Sequence, residues 1–233
     1  MKKLITALLT AMLFIANSAY ATGTLEDADK AYSKGNYTQA LMLYKQLAIN
    51  GNAYAQTILG IMYNKGTGVA QDNLAAVKWY KLAATQGNAM AQFNLAIMYN
   101  RGVGVAQDFN EAVKWYKLAA AQGDAASQFS LGVMYAYGQG VAKDNATAGK
   151  WHKLAAAQGN KDAQFILGIM YANGEGFTQD FVAAYMWFSL AALKDDKEAA
   201  KYRDRVEKFM TQQQIAQAQT LTRECLDRNY KGC

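Results

Sequence analysis

The sequence predicts an all-α fold, an α/α solenoid (superhelix) of stacked helical hairpins, and three sets of residues predict it. Trp79, Trp115, Trp151 and Trp187 are the only tryptophans in the chain, and each stands 36 residues after the one before. The glycine pairs Gly66/Gly68, Gly102/Gly104, Gly138/Gly140 and Gly174/Gly176 keep the same step. So do Asp72, Asp108, Asp144 and Asp180, with Tyr63, Tyr99, Tyr135 and Tyr171 as a further column. A fixed period of this length marks one supersecondary unit copied and stacked, each copy burying its apolar side against its neighbours. Nothing in the pattern reads as a strand. A stack of this kind presents an extended surface, which points to holding a partner.

Residues 1–21 read as a separate element. Lys2 and Lys3 give a positive start, Leu4 to Ala16 is apolar, and Ala19-Tyr20-Ala21 is an A-x-A cleavage site. That anatomy predicts a secretory signal peptide cleaved after Ala21, and an exported chain, periplasmic or secreted. A short amphipathic anchor is the other reading; the apolar run is too short to span a bilayer. No cysteine follows the site, so lipid attachment there is not expected. Cleavage removes two lysines and no acid, lowering the formal charge from +6 to 6 − 2 = +4. So mild a basicity favours polyanions only weakly and gives no reason to expect nucleic acid. No later segment is apolar enough for a membrane span.

Residues 22–51, with Tyr32, Gly35, Tyr37, Ala40 and Tyr44, read as a shorter hairpin without the glycine pair. The repeats proper follow, and Asn88 to Gly123 serves as the specimen. Asn88 is an N-cap, followed by Ala91, Leu95, Met98 and Tyr99 at helical spacing, and this helix is expected to end near Asn100. Gly102 and Gly104 allow a tight loop. Asp108 caps a second helix, with Glu111 expected to complete a capping box. Ala112, Trp115, Tyr116, Ala119 and Ala120 then form an apolar stripe. Small residues recur as strictly as large ones. Ala76/Ala112/Ala148/Ala184, Ala83/Ala119/Ala155/Ala191 and Gly60/Ala96/Gly132/Gly168 are columns that let helices approach closely.

After Leu193 the pattern breaks. Asp195 stands where Gly87, Gly123 and Gly159 stood, and the segment becomes charged. Thr211 with Gln214 reads as a further N-cap before an amphipathic helix carrying Ile215, Ala218 and Leu221. Residues 195–233 thus suit a terminal cap, apolar on one side and wet on the other. The only cysteines, Cys225 and Cys233, lie here. In an oxidising compartment such a pair most simply closes one short loop, with free or intermolecular thiols as the alternatives.

The unit A-x-Q-x-x-L-G-x-x-Y-x-x-G-x-G-V-x-x-D-x-x-x-A-x-x-W-x-x-x-A-A resembles the Sel1-like repeat, a relative of the tetratricopeptide repeat with a longer, glycine-bearing loop. Four units carry the resemblance, residues 52–87, 88–123, 124–159 and 160–194, together spanning 52–194. The stretch 22–51 looks like a tetratricopeptide-type hairpin. The resemblance implies a protein or peptide ligand, with first helices on the concave side and second helices outside. It also implies a bacterial adaptor, envelope regulator or host-contact scaffold. Some exported relatives are linked to penicillin binding or β-lactam hydrolysis, which makes a cell-wall or β-lactam hydrolase an alternative. Yet S-x-x-K, S-D-N and K-T-G are all missing, as are the repeat-stapling cysteine pairs of those relatives.

Four candidate features follow. The G-x-G loops do not continue as phosphate-binding motifs and read as structural turns. His152, the only histidine, occupies the column of Tyr80, Tyr116 and Phe188 and reads as a packed or partly exposed aromatic substitute. Lys78, Lys114 and Lys150, with Lys81, Lys117 and Lys153, form two columns flanking the tryptophans. They are either stems covering apolar surface or an anionic-polymer site. The best functional clue lies on the first helices. Gln56/Gln92/Gln128/Gln164 and Met62/Met98/Met134/Met170 are invariant and read as architectural. One face at i, i+4, i+7, i+11 varies instead: Tyr54, Ile58, Ile61, Lys65; Met90, Asn94, Ile97, Arg101; Ala126, Ser130, Val133, Tyr137; Asp162, Ile166, Ile169, Asn173. From it the partner-binding residues are expected to be Tyr54, Ile58, Lys65, Met90, Asn94, Arg101, Ser130, Tyr137, Asp162 and Asn173. Its mix suits a peptide or helix better than nucleic acid. No catalytic residue, cofactor or metal site is expected.

Overall fold

A computed structural model describes residues 23–193 and 197–233; the leader read in residues 1–21 lies outside them, as does Asp195. The described residues form twelve α-helices and no strand. They fall into two compact units, one ending at Ala83 and the other running from Ala84 to Cys233. In the first, α1 (Leu25–Ser33) and α2 (Tyr37–Ile49) form a hairpin, and α2 packs on α3 (Ala53–Lys65). α4 (Asn73–Thr85) begins in this unit. In the second, three hairpins follow: α5 (Ala89–Arg101) with α6 (Phe109–Ala121), α7 (Ala125–Tyr137) with α8 (Asn145–Ala156), and α9 (Lys161–Asn173) with α10 (Phe181–Ala192). α6 packs on α7 and α8 on α9, so hairpins stack in chain order. α11 (Lys197–Glu207) and α12 (Gln212–Asp227) both pack on α10.

Each repeat column has a physical cause. The side chains of Asn52, Asn88, Asp124 and Asn160 accept from the amides of Ala55, Ala91, Ser127 and Ala163 at 2.8, 2.9, 2.6 and 2.9 Å. That satisfies an N–H which a helix start would otherwise leave unpaired. Asp72, Asp108, Asp144 and Asp180 cap the second helices in the same way. Their own amides donate to the carbonyls of Tyr63, Tyr99, Tyr135 and Tyr171 at 2.9–3.0 Å. The Asp and Tyr columns are therefore two ends of one bond that closes every loop. The expected capping box at Glu111 does not form. With the Asp108 amide already donating to Tyr99, the Glu111 carboxylate turns along its helix to accept from Trp115 Nε1 and Lys114 Nζ, both at 3.1 Å. The box expected at Thr211 and Gln214 does form, and Thr24 with Asp27 makes another at α1.

The two glycines of each loop do different work. The first ends α3, α5, α7 and α9 in the left-handed conformation, with φ from 66° to 73°. The second also has positive φ, but it is defined by what it touches. A Cβ at Gly68 would lie 2.8 Å from the Tyr37 carbonyl, and one at Gly176 would lie 2.6 Å from the Asn145 carbonyl carbon. These two loops, and that of Gly140 against Phe109, thus rest on the first turn of the preceding hairpin's second helix, backbone against backbone.

Between hairpins the core is built from fully buried alanines (Ala112, Ala148 and Ala184; Ala119, Ala155 and Ala191) around the buried Trp115 and Trp187. Within hairpins, Gly60 and Gly168 lie under aromatic rings: a Cβ would stand 2.5 Å from Tyr80 or Phe188. The invariant glutamines are buried as well. Gln92, Gln128 and Gln164 donate to the carbonyls of Ala84, Ala120 and Ala156 at 3.1–3.3 Å, a second donor beside the amides of Gly87, Gly123 and Gly159 at these helix ends. Gln122 and Gln158 donate across to Gln92 and Gln128, each at 2.8 Å. Replacing Gln128 by Leu removes the second donor to the Ala120 carbonyl and the acceptor of the Gln158 amide. The expected cost is about 1–2 kcal/mol in urea unfolding, and an unchanged midpoint would contradict the architectural role.

The chain closes with a small aromatic core. Val206, Ile215 and Ala218 pack with Tyr185 and Phe188, and the Tyr202 ring meets Phe165 edge-on at 5.3 Å. Cys225 and Cys233 are bonded to each other, their Cα atoms 5.5 Å apart. Among the described residues no helix is long and apolar enough to cross a membrane.

Candidate functional site

The variable face of the first helices is open to solvent. Its end positions are exposed, apart from the half-buried Ala126, and its middle positions are half-buried. Met90 is 45% exposed and Tyr137 75%, high values for such large apolar groups. Lys65 and Arg101 sit in the last turns of α3 and α5, and Asp162 in the first turn of α9, each favourable to the helix dipole.

Not every expected partner-binding residue is equally available. Ile58 packs against the core of the first unit. Burial, and then the Asp29 carboxylate, pushes the Tyr54 phenol above its ordinary pKa. Asn94 and Ser130 donate to carbonyls in their own helices, Met90 and Ala126, at 2.8 Å. Asn173 donates to Glu175 at 2.8 Å. Met90, Arg101, Tyr137 and Asp162 remain as the outward groups of the second unit.

A cavity of about 320 Å³ opens on this face between α7 and α9. Val133 and Tyr137 from one variable column set and Ile166 and Ile169 from the next line it, together with Met170 and the polar Asn145, Lys143 and Glu175. His152 lines it from α8. The histidine is buried, 1% exposed, rather than partly exposed, and packs against Phe129 at 5.4 Å between ring centres. Its Nδ1 has no hydrogen-bond partner. Burial drives the imidazole pKa down to about 4, so the ring is neutral at physiological pH.

Sequence reasoning missed Lys143 and Glu175. Both carried a signal. Gln71, Gln107 and Gln179 donate to the carbonyls of Asn64, Asn100 and Ala172 at 2.7–2.8 Å, and Lys143 is the one departure from that column. Glu175 is the only charged residue in a loop column otherwise holding Thr67, Val103 and Gln139.

The lysine columns are partly committed to the repeat itself. Lys114 pairs with Glu111 at 3.1 Å. The Lys117 ammonium lies over the Tyr135 ring at 5.7 Å, and that of Lys153 over Tyr171 at 5.3 Å and Phe177 at 4.6 Å. Lys78, Lys81 and Lys150 are exposed. Among the described residues no group of three or more His, Cys, Asp or Glu side chains could hold a metal ion.

No curated protein matches the chain. Solved structures do. A Sel1 repeat protein from Oxalobacter formigenes is 33% identical with a TM-score of 0.73, over 77% of this chain and 74% of that one. A protective antigen present in uropathogenic Escherichia coli strains, displaying an SLR fold, is 32% identical with a TM-score of 0.57, over 88% of this chain and 54% of that one. The chain therefore spans about half of that antigen's length. The Sel1 repeat family model matches residues 10–52, 53–88, 89–124, 125–160 and 161–196, so it also claims the short first hairpin that looked tetratricopeptide-like. The chain belongs to the Sel1 repeat family.

Proposed function

We propose that the chain is an exported, non-catalytic interaction module that holds a protein or peptide along the face of its first helices. Sel1 repeat proteins are generally scaffolds for protein–protein interaction. One observation carries the assignment to this face. The invariant glutamines and methionines of the second unit are buried, whereas the columns that differ from repeat to repeat are solvent-accessible and surround a cavity. Positions freed from architecture and grouped around a pocket are where a partner is read. In tetratricopeptide-like stacks this is the concave side. Export is supported by the leader-like residues 1–21 and by the Cys225–Cys233 bond, which suits an oxidising compartment.

The anionic-polymer alternative is weakened by Lys114, Lys117 and Lys153, which are engaged by Glu111 and by the repeat's own aromatic rings. As for hydrolysis, His152 is buried against Phe129, which suits packing. Capture from envelope and culture fractions tests the proposal, with the mature chain and an Arg101→Ala/Tyr137→Ala variant side by side. The expected result is one protein held by the parent and lost with the variant. Capture that ignores the variant but vanishes in salt would instead favour the lysine columns.

A further inference from the structure

We propose that Asn50 is a site of spontaneous covalent modification: the Gly51 amide nitrogen closes on the Asn50 side chain, ammonia leaves, and water opens the ring to aspartate and isoaspartate. The chain holds two Asn–Gly steps, Asn50-Gly51 and Asn173-Gly174. Glycine favours such closure because no side chain stands beside the attacking nitrogen. The fold treats the two steps differently. Asn50 and Gly51 are both exposed, in the turn between α2 and α3. The Asn50 carboxamide makes no hydrogen bond among the described residues. A Cβ at Gly51 would meet nothing within 4 Å, so the ring has room to form. The Gly51 amide donates to the Ala48 carbonyl at 3.0 Å, and when it turns away that carbonyl keeps Gln56 Nε2 as a donor, also at 3.0 Å. Asn173, in contrast, is the last residue of α9, and its carboxamide is held by Glu175 at 2.8 Å. The Gly174 amide donates to the Met170 carbonyl, in a loop closed by the bond between Asp180 and Tyr171, and a Cβ there would meet Gln179 and Phe177.

The repeats supply a second comparison. Gln86, Gln122 and Gln158 precede Gly87, Gly123 and Gly159 at the positions where Asn50 precedes Gly51. Gln122 and Gln158 are tied to Gln92 and Gln128 at 2.8 Å, and a glutamine closes only to a larger ring, far more slowly. Asn50 is the departure from that column, and it is the residue whose side chain is untied. The step balances. The Gly51 nitrogen bonds to Asn50 Cγ, the Cγ–Nδ2 bond breaks, and the Gly51 amide proton leaves with the ammonia. Water then adds to one of the two ring carbonyls. Opening at Cγ restores the main chain with aspartate, and opening at the Asn50 main-chain carbonyl routes the chain through the side chain as isoaspartate. Either product places a new carboxylate at the C-terminal end of α2, the negative end of its dipole. Isoaspartate also lengthens the link into α3, across which the Asn52 amide reaches the Leu47 carbonyl at 3.1 Å. That helix carries Tyr54 and Ile58.

The test incubates the folded full chain in mildly alkaline buffer made with heavy-oxygen water and follows both Asn–Gly peptides by mass spectrometry. The expected result is that the Asn50 peptide yields aspartate and isoaspartate, each with one heavy oxygen, about tenfold or more faster than the Asn173 peptide reacts, because the Glu175 bond must first break there. In urea the two steps should react at similar rates, since the dipeptide is the same. Asn50→Gln copies Gln122 and Gln158, so it should keep the parent's urea midpoint and give no product at that position. An unchanged Asn50 in the folded chain, or Asn173 keeping pace with it, would overturn the proposal, as would the same ratio of rates in urea. Aspartate formed without isoaspartate would overturn it too, because direct hydrolysis of the side chain gives that product alone.

Discussion

Replacing Gly140 by Ala is expected to destabilise the second unit by about 2–5 kcal/mol, while Gly123→Ala costs about 1–2 kcal/mol. Both glycines have positive φ, 67° and 91°, so a side chain at either meets the same kind of backbone strain. They differ in what stands in front of them. A Cβ at Gly123 meets nothing within 4 Å. A Cβ at Gly140 would press onto the Phe109 carbonyl and stand 2.9 Å from the Asn110 amide. That backbone is the first turn of α6, pinned by Asp108, and it cannot yield as the tip of a flexible side chain would. Urea midpoints of the two variants at constant slope check the difference. Equal losses would mean that the close approach of loop and helix adds nothing beyond local strain.

Acid should destabilise the parent more than a His152→Phe variant. The folded pKa of His152 lies near 4 because burial disfavours the charged ring, below the ordinary value of 6.5. Between these values the unfolded chain binds more protons than the folded one, so stability rises with pH through this window. The contribution is fully present above pH about 6.5 and is lost as pH falls towards 4. Between pH 7 and pH 4.5 the parent should lose about 2–3 kcal/mol more than His152→Phe, whose ring does not titrate. The difference between the two chains removes the effect of carboxylates common to both. Parallel stability curves would mean that the imidazole is hydrated when folded.

Much of this was legible in the sequence because the repeat compares itself with itself. The invariant columns named the buried positions: Met62, Gln164 and Ala112 are all inside. The caps at Asn88, Asp108 and Thr211 were readable because capping chemistry is local, one side chain and an amide two or three residues away. Where a second demand fell on the same atoms, local reading failed. Glu111 has the spacing of a capping box, yet the Asp108 amide is already spent on Tyr99, a bond across the loop. The glycine pair was readable as a turn, but the closeness of Gly140 to Phe109 belongs to the contact between hairpins. The cavity was hidden for the same reason. Its lining comes from α7, α8 and α9, with Val133, His152 and Ile166 among it, and only the stacking register brings those residues together.

The central claim is that a partner is read by the varying columns of the first helices. The most direct test is the dissociation constant of the captured protein for three chains: the parent, Arg101→Ala/Tyr137→Ala, and Lys114→Ala/Lys150→Ala. The predicted result is a loss of tenfold or more, about 1.4 kcal/mol, with the first variant, and parent-like affinity with the second. Parent-like affinity with Arg101→Ala/Tyr137→Ala, together with weakening by the lysine variant, would contradict the account and move the site to the second helices.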